Sequence, residues 1–318
     1  MFRNQIIENR IKSKGLKVNE FLWEMDLIID RVLLSKIVEE NYTKNDPSKW
    51  WRPRCKTETM IRMYFLSLWF NLSDIKAEEE IYDRSSFAKF MKINLEFDQI
   101  PDSTTLWLFR NYLNDNNLQE KLMFSINWIL QEKWIILQEW KLIDATIIKA
   151  PSSTKNKDQT RDSKMSSTQK GWNYFFWCKV WTATDPKWNV TKVIVTTAKT
   201  HDSQHYDALT QEWDKRTLWD SAYIWKNIQQ VAKNKDIDHY HMLKRKAWQK
   251  LLSFTSRLWN ALLAMPRKIV EFPYWVIKNL RWYRKVKYKW LEKTRCQWCM
   301  LCWLCNIYRN RKTLLSYL

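Results

Sequence analysis

Glycine is almost missing. Two glycines occur in 318 residues, where ordinary usage of roughly 7% would supply about 22. No phosphate-binding glycine loop can be read from such a chain. Long apolar runs are missing too. No uncharged stretch reaches the roughly 18 residues that a membrane helix needs. The opening MFRNQIIENRIKSKG has no apolar signal segment and no small-residue cleavage site. A cytoplasmic protein without a membrane partner is expected. Six cysteines in that compartment do not argue for disulfides. Acidic residues are the scarcer charge, 34 against 54 basic, which leaves a net +20. That balance points to a polyanionic partner, nucleic acid first, with a lysine-rich solvated surface as the alternative.

Hydrophobic residues make up 45% of the chain, so a sizeable core can form. Tryptophan is in excess, at 22 residues, and it stands where glycine chemistry is expected. In TATDPKWNVTKVIV, Asp185, Pro186 and Lys187 start a type I turn. The next position, Trp188, then favours left-handed backbone. In INWILQEKWIILQEW a helix ends at Glu132-Lys133, and Trp134 with Ile135 occupies the glycine-plus-apolar cap. Trp140 falls in the turn before a strand, Trp219 and Trp225 flank a strand-to-helix crossing, and Trp50 and Trp51 sit in a basic loop. A base-stacking surface would also use tryptophans, but these cluster at the ends of elements. The expectation is that most of these codons mean glycine in the source organism, through a UGA codon reassigned to glycine.

Residues 1 to about 130 read as helical, with breaks near Asn71-Asp74 and Arg84-Ser86 and a capped start at Asp102 or Ser103. Such a region suits a DNA-binding module or a bundle without a ligand. From 131 to 318 the pattern becomes strand, hairpin, helix, strand, helix, strand, helix. It predicts an α/β unit with a mixed sheet and flanking helices. KLIDATIIKA is its first strand, and residues 150–171 form a polar basic loop. The chain from about 247 onward is read as helical and very basic.

Asp144 lies within the first strand, Asp220 at the end of a later one, and Glu271 on a C-terminal helix. An acid in an apolar strand costs free energy unless it is paired, neutral or bound to metal. Each acid taken singly could be an ordinary salt bridge. Together they could supply the hard oxygen ligands that Mg²⁺ prefers, and paired metals suit in-line phosphoryl transfer. Cys296, Cys299, Cys302 and Cys305 in CQWCMLCWLC repeat at i, i+3. That spacing admits a zinc or iron–sulfur site or small buried residues of one helix. Arg281, Arg284, Lys285 and Lys287 open a basic face that could track phosphates, or simply be solvated.

The blocks ETMIRMYFLSLWFNLSD, IPDSTTLWLFR, IDATIIKAPSSTKNK, TTAKTHDS and WDSAY resemble the transposases of bacterial insertion sequences. The chain is similar to the insertion-sequence-five group of the DDE superfamily, from about residue 20 onward. The resemblance implies a helical N-terminal domain and a ribonuclease-H-like catalytic domain. It places the acidic triad on Asp144, Asp220 and Glu271, holding two Mg²⁺ ions or Mn²⁺ in their place. It aligns a basic signature with Arg267, Glu271 and Lys278, while Ala264 stands where the group often has tyrosine. It implies double-stranded DNA as partner, both terminal inverted repeats and target, and a homodimer or larger assembly at the nucleoid. A nuclease of the same fold, or an inactive DNA-binding copy, is the alternative. Relatives look like GDSAY around Trp219, GRPR around Trp51 and EGT around Trp140, while Trp69 matches a true tryptophan.

Overall fold

The computed structural model describes residues 17–31, 37–39, 55–137, 139–155, 160–170, 172–200, 202–219, 226–245, 249, 251–280 and 283–317. It divides into two compact units, Met1–Leu122 with Ile307–Leu318, and Met123–Asn306. Among the described residues, no helix is long and apolar enough to cross a membrane.

The first unit is built from α1 (Lys17–Arg31), α2 (Thr57–Trp69), α3 (Asp74–Asp83), α4 (Ser85–Phe90), α5 (Ser103–Asp115) and the start of α6 (Leu118–Glu132). Every residue of α2 from Met60 to Trp69 is buried, as expected of a helix that is apolar nearly all round. The one charge in that buried stretch, Arg62, is satisfied by Asp26, Glu58 and the Phe90 carbonyl. Buried charges persist when they are paired in this way. Trp69 is 2% exposed and meets Phe21 and Phe90 with ring centroids 5.2 and 5.5 Å away. The expected breaks appear between α2 and α3 and at Arg84. Asp102 caps α5 by accepting from the Thr105 N–H at 2.6 Å.

The second unit carries the sheet, formed by β1 (Trp140–Lys149), β2 (Ser166–Lys170), β3 (Asn173–Thr184), β4 (Val190–Thr197), β5 (Arg216–Trp219) and β6 (Asp238–His241). β1 is antiparallel to β3 on one side and parallel to β5 on the other, and β5 is parallel to β6. The far edge of β3 is shared, with β2 along Asn173–Trp177 and β4 along Cys178–Thr184. The sheet is therefore mixed, and parallel neighbours require crossovers. These include a 3₁₀ turn (Asp202–His205), α7 (Tyr206–Leu209) and α8 (Lys226–Asn234). Ile143, Trp181, Ala183 and Trp219 pack with Tyr206, Leu209 and Ile228 on one face. Leu142 and Leu218 pack on the other with Leu263 and Val270 of α9 (Phe254–Trp275). Alternation along β1 and β5 assigns successive residues to opposite faces. α9 continues into a π-helical turn (Val276–Leu280), and α10 (Leu291–Ser316) follows. The boundary between the units falls inside α6 and inside α10.

Four sequence expectations are corrected. The basic loop after β1 contains strand β2, because polar SSTQK pairs with β3 through its backbone. The helix expected after the hairpin is a 3₁₀ turn followed by one short α-helical turn that ends at Leu209. The basic segment after Lys278 is not a helix face: residues 283–287 are extended, and Val286 donates to the Lys149 carbonyl at 2.8 Å. Trp140 is the first residue of β1 rather than part of the turn before it, stacked on Tyr240, whereas Trp219 ends β5 as expected but is only 1% exposed.

The left-handed positions fall as expected at two tryptophans. Trp134 has φ 56°, and the Ile135 N–H reaches the Leu130 carbonyl at 2.8 Å while Trp134 N–H reaches Gln131 at 2.9 Å. That pair of bonds is a Schellman motif, whose left-handed residue is usually glycine. Trp188 also has φ 56°, and closes the β3–β4 turn by donating to the Asp185 carbonyl at 2.9 Å. A third, Trp290 at φ 81°, precedes α10. Trp225, Trp50 and Trp51 lie outside the described residues.

Candidate active site

Asp144 is half-buried in β1, paired across the strands with Thr182 of β3. It shares the pleat of Leu142 and Thr146, so it belongs to the face that α9 covers. Beside that apolar packing, α9 and the π turn that follows it each make a polar contact with this strand. The Tyr274 hydroxyl donates to the Asp144 carbonyl at 2.8 Å and accepts from the Thr182 hydroxyl at 2.8 Å. One turn further on, Lys278 Nζ donates to Thr146 Oγ1 at 2.6 Å and to the Ile147 carbonyl at 3.2 Å. Glu271 lies one turn before Tyr274, exposed on the same helix. Residues three apart on a helix are neighbours on its surface. Asp144, Lys278 and the helical turn carrying Glu271 thus meet along one face of the sheet. Burial, and then the Asp144 carboxylate, push the Tyr274 phenol well above its usual range.

Asp220 lies outside the described residues. It directly follows Trp219, the last residue of β5. Leu142 and Leu218 are register partners between β1 and β5, and each acid stands two positions beyond that pair in sequence. Arg267 is four residues before Glu271 on α9, with its side chain outside the description, as is Arg281. Arg284, Lys285 and Lys287 are exposed on the extended segment. Arg284 donates to the Lys278 carbonyl at 3.3 Å and to Asn279 Oδ1 at 2.8 Å. A parallel bridge pairs Lys285 with exposed Lys149 at the end of β1. Positive charge therefore gathers at the end of the strand that carries Asp144.

Sequence reasoning missed Tyr274 and Thr182. The helical spacing from Glu271 to Tyr274 was a usable signal, but Thr182 becomes relevant only through strand register. Among the described residues, no three His, Cys, Asp or Glu side chains form a metal-binding group. The four cysteines Cys296, Cys299, Cys302 and Cys305 are buried along α10. Burial pushes the Cys302 thiol far up, away from the thiolate that a metal takes. His239 is held near a pKa of about 4 by burial and by His241.

Residues 9–112 match the family described as "Transposase domain (DUF772)", and residues 139–307 match the "Transposase DDE domain". Two solved structures are similar in part. The "Mos1 Strand Transfer Complex" is 9% identical, with 83% of this chain and 81% of that chain covered and a TM-score of 0.21. A "pre-cleavage Mos1 transpososome" is 8% identical, with 81% and 98% covered and a TM-score of 0.21. Likeness at that level carries no structural argument. The DDE match spans more than half of the 318 residues and includes Asp144 and Glu271 on their facing elements, and the protein belongs to the DDE transposase family.

Proposed function

We propose that this transposase binds the terminal inverted repeats of its element as double-stranded DNA, cleaves there, and joins the freed ends to target DNA. In the first step water bonds to phosphorus as the bond to the 3′-oxygen breaks, leaving a 3′-hydroxyl and a 5′-phosphate. In the second, that 3′-oxygen bonds to a target phosphorus and the target's own 3′-oxygen leaves. The observation that supports this reading most directly is the Tyr274 bridge, which sets the turn bearing Glu271 beside Asp144.

Membership of the family implies dependence on a divalent metal. The carboxylates fit a hard cation: Asp144 and Glu271 offer oxygen donors on facing elements, and the Asp144 carbonyl is already engaged by Tyr274. Asp144, Asp220 and Glu271 would hold two Mg²⁺ ions, or Mn²⁺ in their place. Bound there, the pair would stabilise the attacking and leaving oxygens of an in-line displacement. The chain's own contribution is positioning. Arg267, Lys278, Arg281, Arg284, Lys285 and Lys287 would contact phosphates and fix the register of the duplex without reading sequence. The ribonuclease-H-like reading of this unit is supported by the order and polarity of its sheet. The protein would act on nucleoid DNA in the cytoplasm, as a homodimer or larger assembly that brings two ends together.

The test is incubation of the purified chain with Mg²⁺, labelled duplexes bearing the element's ends and a supercoiled target. Cleaved ends joined to target are expected. Cleavage without joining would leave a nuclease of the same fold, and binding alone would leave an inactive copy.

A further inference from the structure

α9 is irregular where it must be accurate. Pro273 lies inside it and brings no N–H to the helical ladder. Three residues later the helix widens into the π turn Val276–Leu280. π turns are uncommon and gather at functional sites. Backbone hydrogen bonds alone hold the register of such a stretch loosely. Glu271 sits at its start.

Two side chains tie this stretch to β1. Tyr274 and Lys278 are four residues apart, about 6 Å of helix rise. Their partners, Asp144 and Thr146, are two residues apart, about 6.6 Å of strand. The two spacings match, so helix and strand run alongside each other. Lys278 is half-exposed, whereas Tyr274 is 6% exposed. The Tyr274 ring packs edge-on against Trp298, with centroids 6.4 Å apart. Its hydroxyl both accepts and donates, and it takes those bonds from the cross-strand pair Thr182 and Asp144. A phenylalanine would fill the same space but would not sense that pair.

We propose that Tyr274 is a positioning residue, whose hydroxyl, seated between Thr182 and the Asp144 carbonyl, sets the Glu271 turn at the distance from Asp144 that a divalent cation requires. It touches neither DNA nor metal, and it acts through the two carboxylates. The inference rests on the carboxylate site proposed above. Groups that orient metal ligands from behind typically change metal affinity or activity about 10- to 100-fold when removed.

The test uses full-length Tyr274→Phe beside wild type and Asp144→Asn. Mn²⁺ binding without DNA is followed by loss of the free-ion electron paramagnetic resonance signal, and end cleavage is titrated with Mg²⁺. Tyr274→Phe is expected to need about 10- to 100-fold more of either metal. Its maximal cleavage rate should be largely restored at high Mg²⁺, with DNA affinity unchanged. Metal dependence equal to wild type would overturn the proposal. If Tyr274→Phe does not fold, Thr182→Val keeps the ring and removes the donor to its oxygen. That variant must shift metal dependence in the same direction, and no shift rejects the role. Asp144→Asn separates the two readings. If it too cleaves like wild type, the carboxylate site itself is wrong. If it is dead while Tyr274→Phe titrates like wild type, only the positioning role fails.

Discussion

Among the described residues, three tryptophans occupy left-handed backbone, Trp134, Trp188 and Trp290. A side chain there crowds the carbonyl that follows, at roughly 1–2 kcal/mol per residue. Trp134 is also 82% exposed, so its indole returns little by burial. Trp134→Gly should raise stability by about 1–2 kcal/mol in urea unfolding, and Trp188→Gly by less, because it also gives up the Trp188 ring contact with Phe272 at 4.8 Å. The same change at buried, extended Trp219 has no such basis, and it would leave a cavity among Ile143, Tyr206 and Ile228. Peptide masses of protein from its own host should show glycine at Trp134, Trp188 and Trp290 and tryptophan at Trp69. Tryptophan at all four would end the codon argument. A second residue-scale prediction concerns acid. His239 has an ordinary pKa of 6.5 and a folded value of about 4. Between those values the unfolded chain binds a proton that the folded chain refuses. Stability is therefore full above pH 6.5 and falls as pH drops towards 4. His239→Gln should flatten that slope in thermal melts taken across the window. Asp185 and Asp214 act oppositely as pH falls, since burial raises both carboxyls, and the comparison with the variant cancels them.

At the scale of elements, much was legible and some was not. The helix breaks, the Asp102 cap and the β3–β4 hairpin follow from periodicity and turn chemistry, both local. β2 was hidden because SSTQK has no apolar alternation and exists only through pairing with β3. The extended segment after Lys278 was hidden by its charge, which conceals periodicity. Its conformation comes from docking along Lys149. In the site, Asp144 and Glu271 were legible as acids in the right elements, whereas the Tyr274–Thr182 link needed strand register. The facing of β1 and α9 makes its own prediction. Asp144→Asn and Glu271→Gln each remove a charge and little volume from elements that pack by other residues. End cleavage should fall by several orders of magnitude while DNA affinity and unfolding midpoint stay near wild type. Cleavage at the wild-type rate by either variant would remove that residue from the site.

Across the whole molecule, a net charge of +20 sets how binding responds to salt. The affinity for duplex DNA should fall with a log–log slope of about −0.9 per phosphate neutralised. Replacing Arg281, Arg284, Lys285 and Lys287 with alanine should make the slope shallower by up to about 3 to 4, as titrations by fluorescence anisotropy would show. An unchanged slope would mean that this segment touches no phosphate.

The first compact unit is discontinuous in the chain. Residues 307–318 belong to it, with Arg311 bonded to Glu24 at 2.9 Å and the Tyr308 ring 6.2 Å from Phe21. On a ribosome adding roughly 5–20 residues per second, the stretch between the two parts takes about 10 to 40 s to make. For that interval α1 is finished but lacks partners that come from α10. A nascent chain interrupted within that stretch therefore has Glu24 and Phe21 in place but neither Arg311 nor Tyr308 to meet them, so the leading unit is completed only by the last residues to be made.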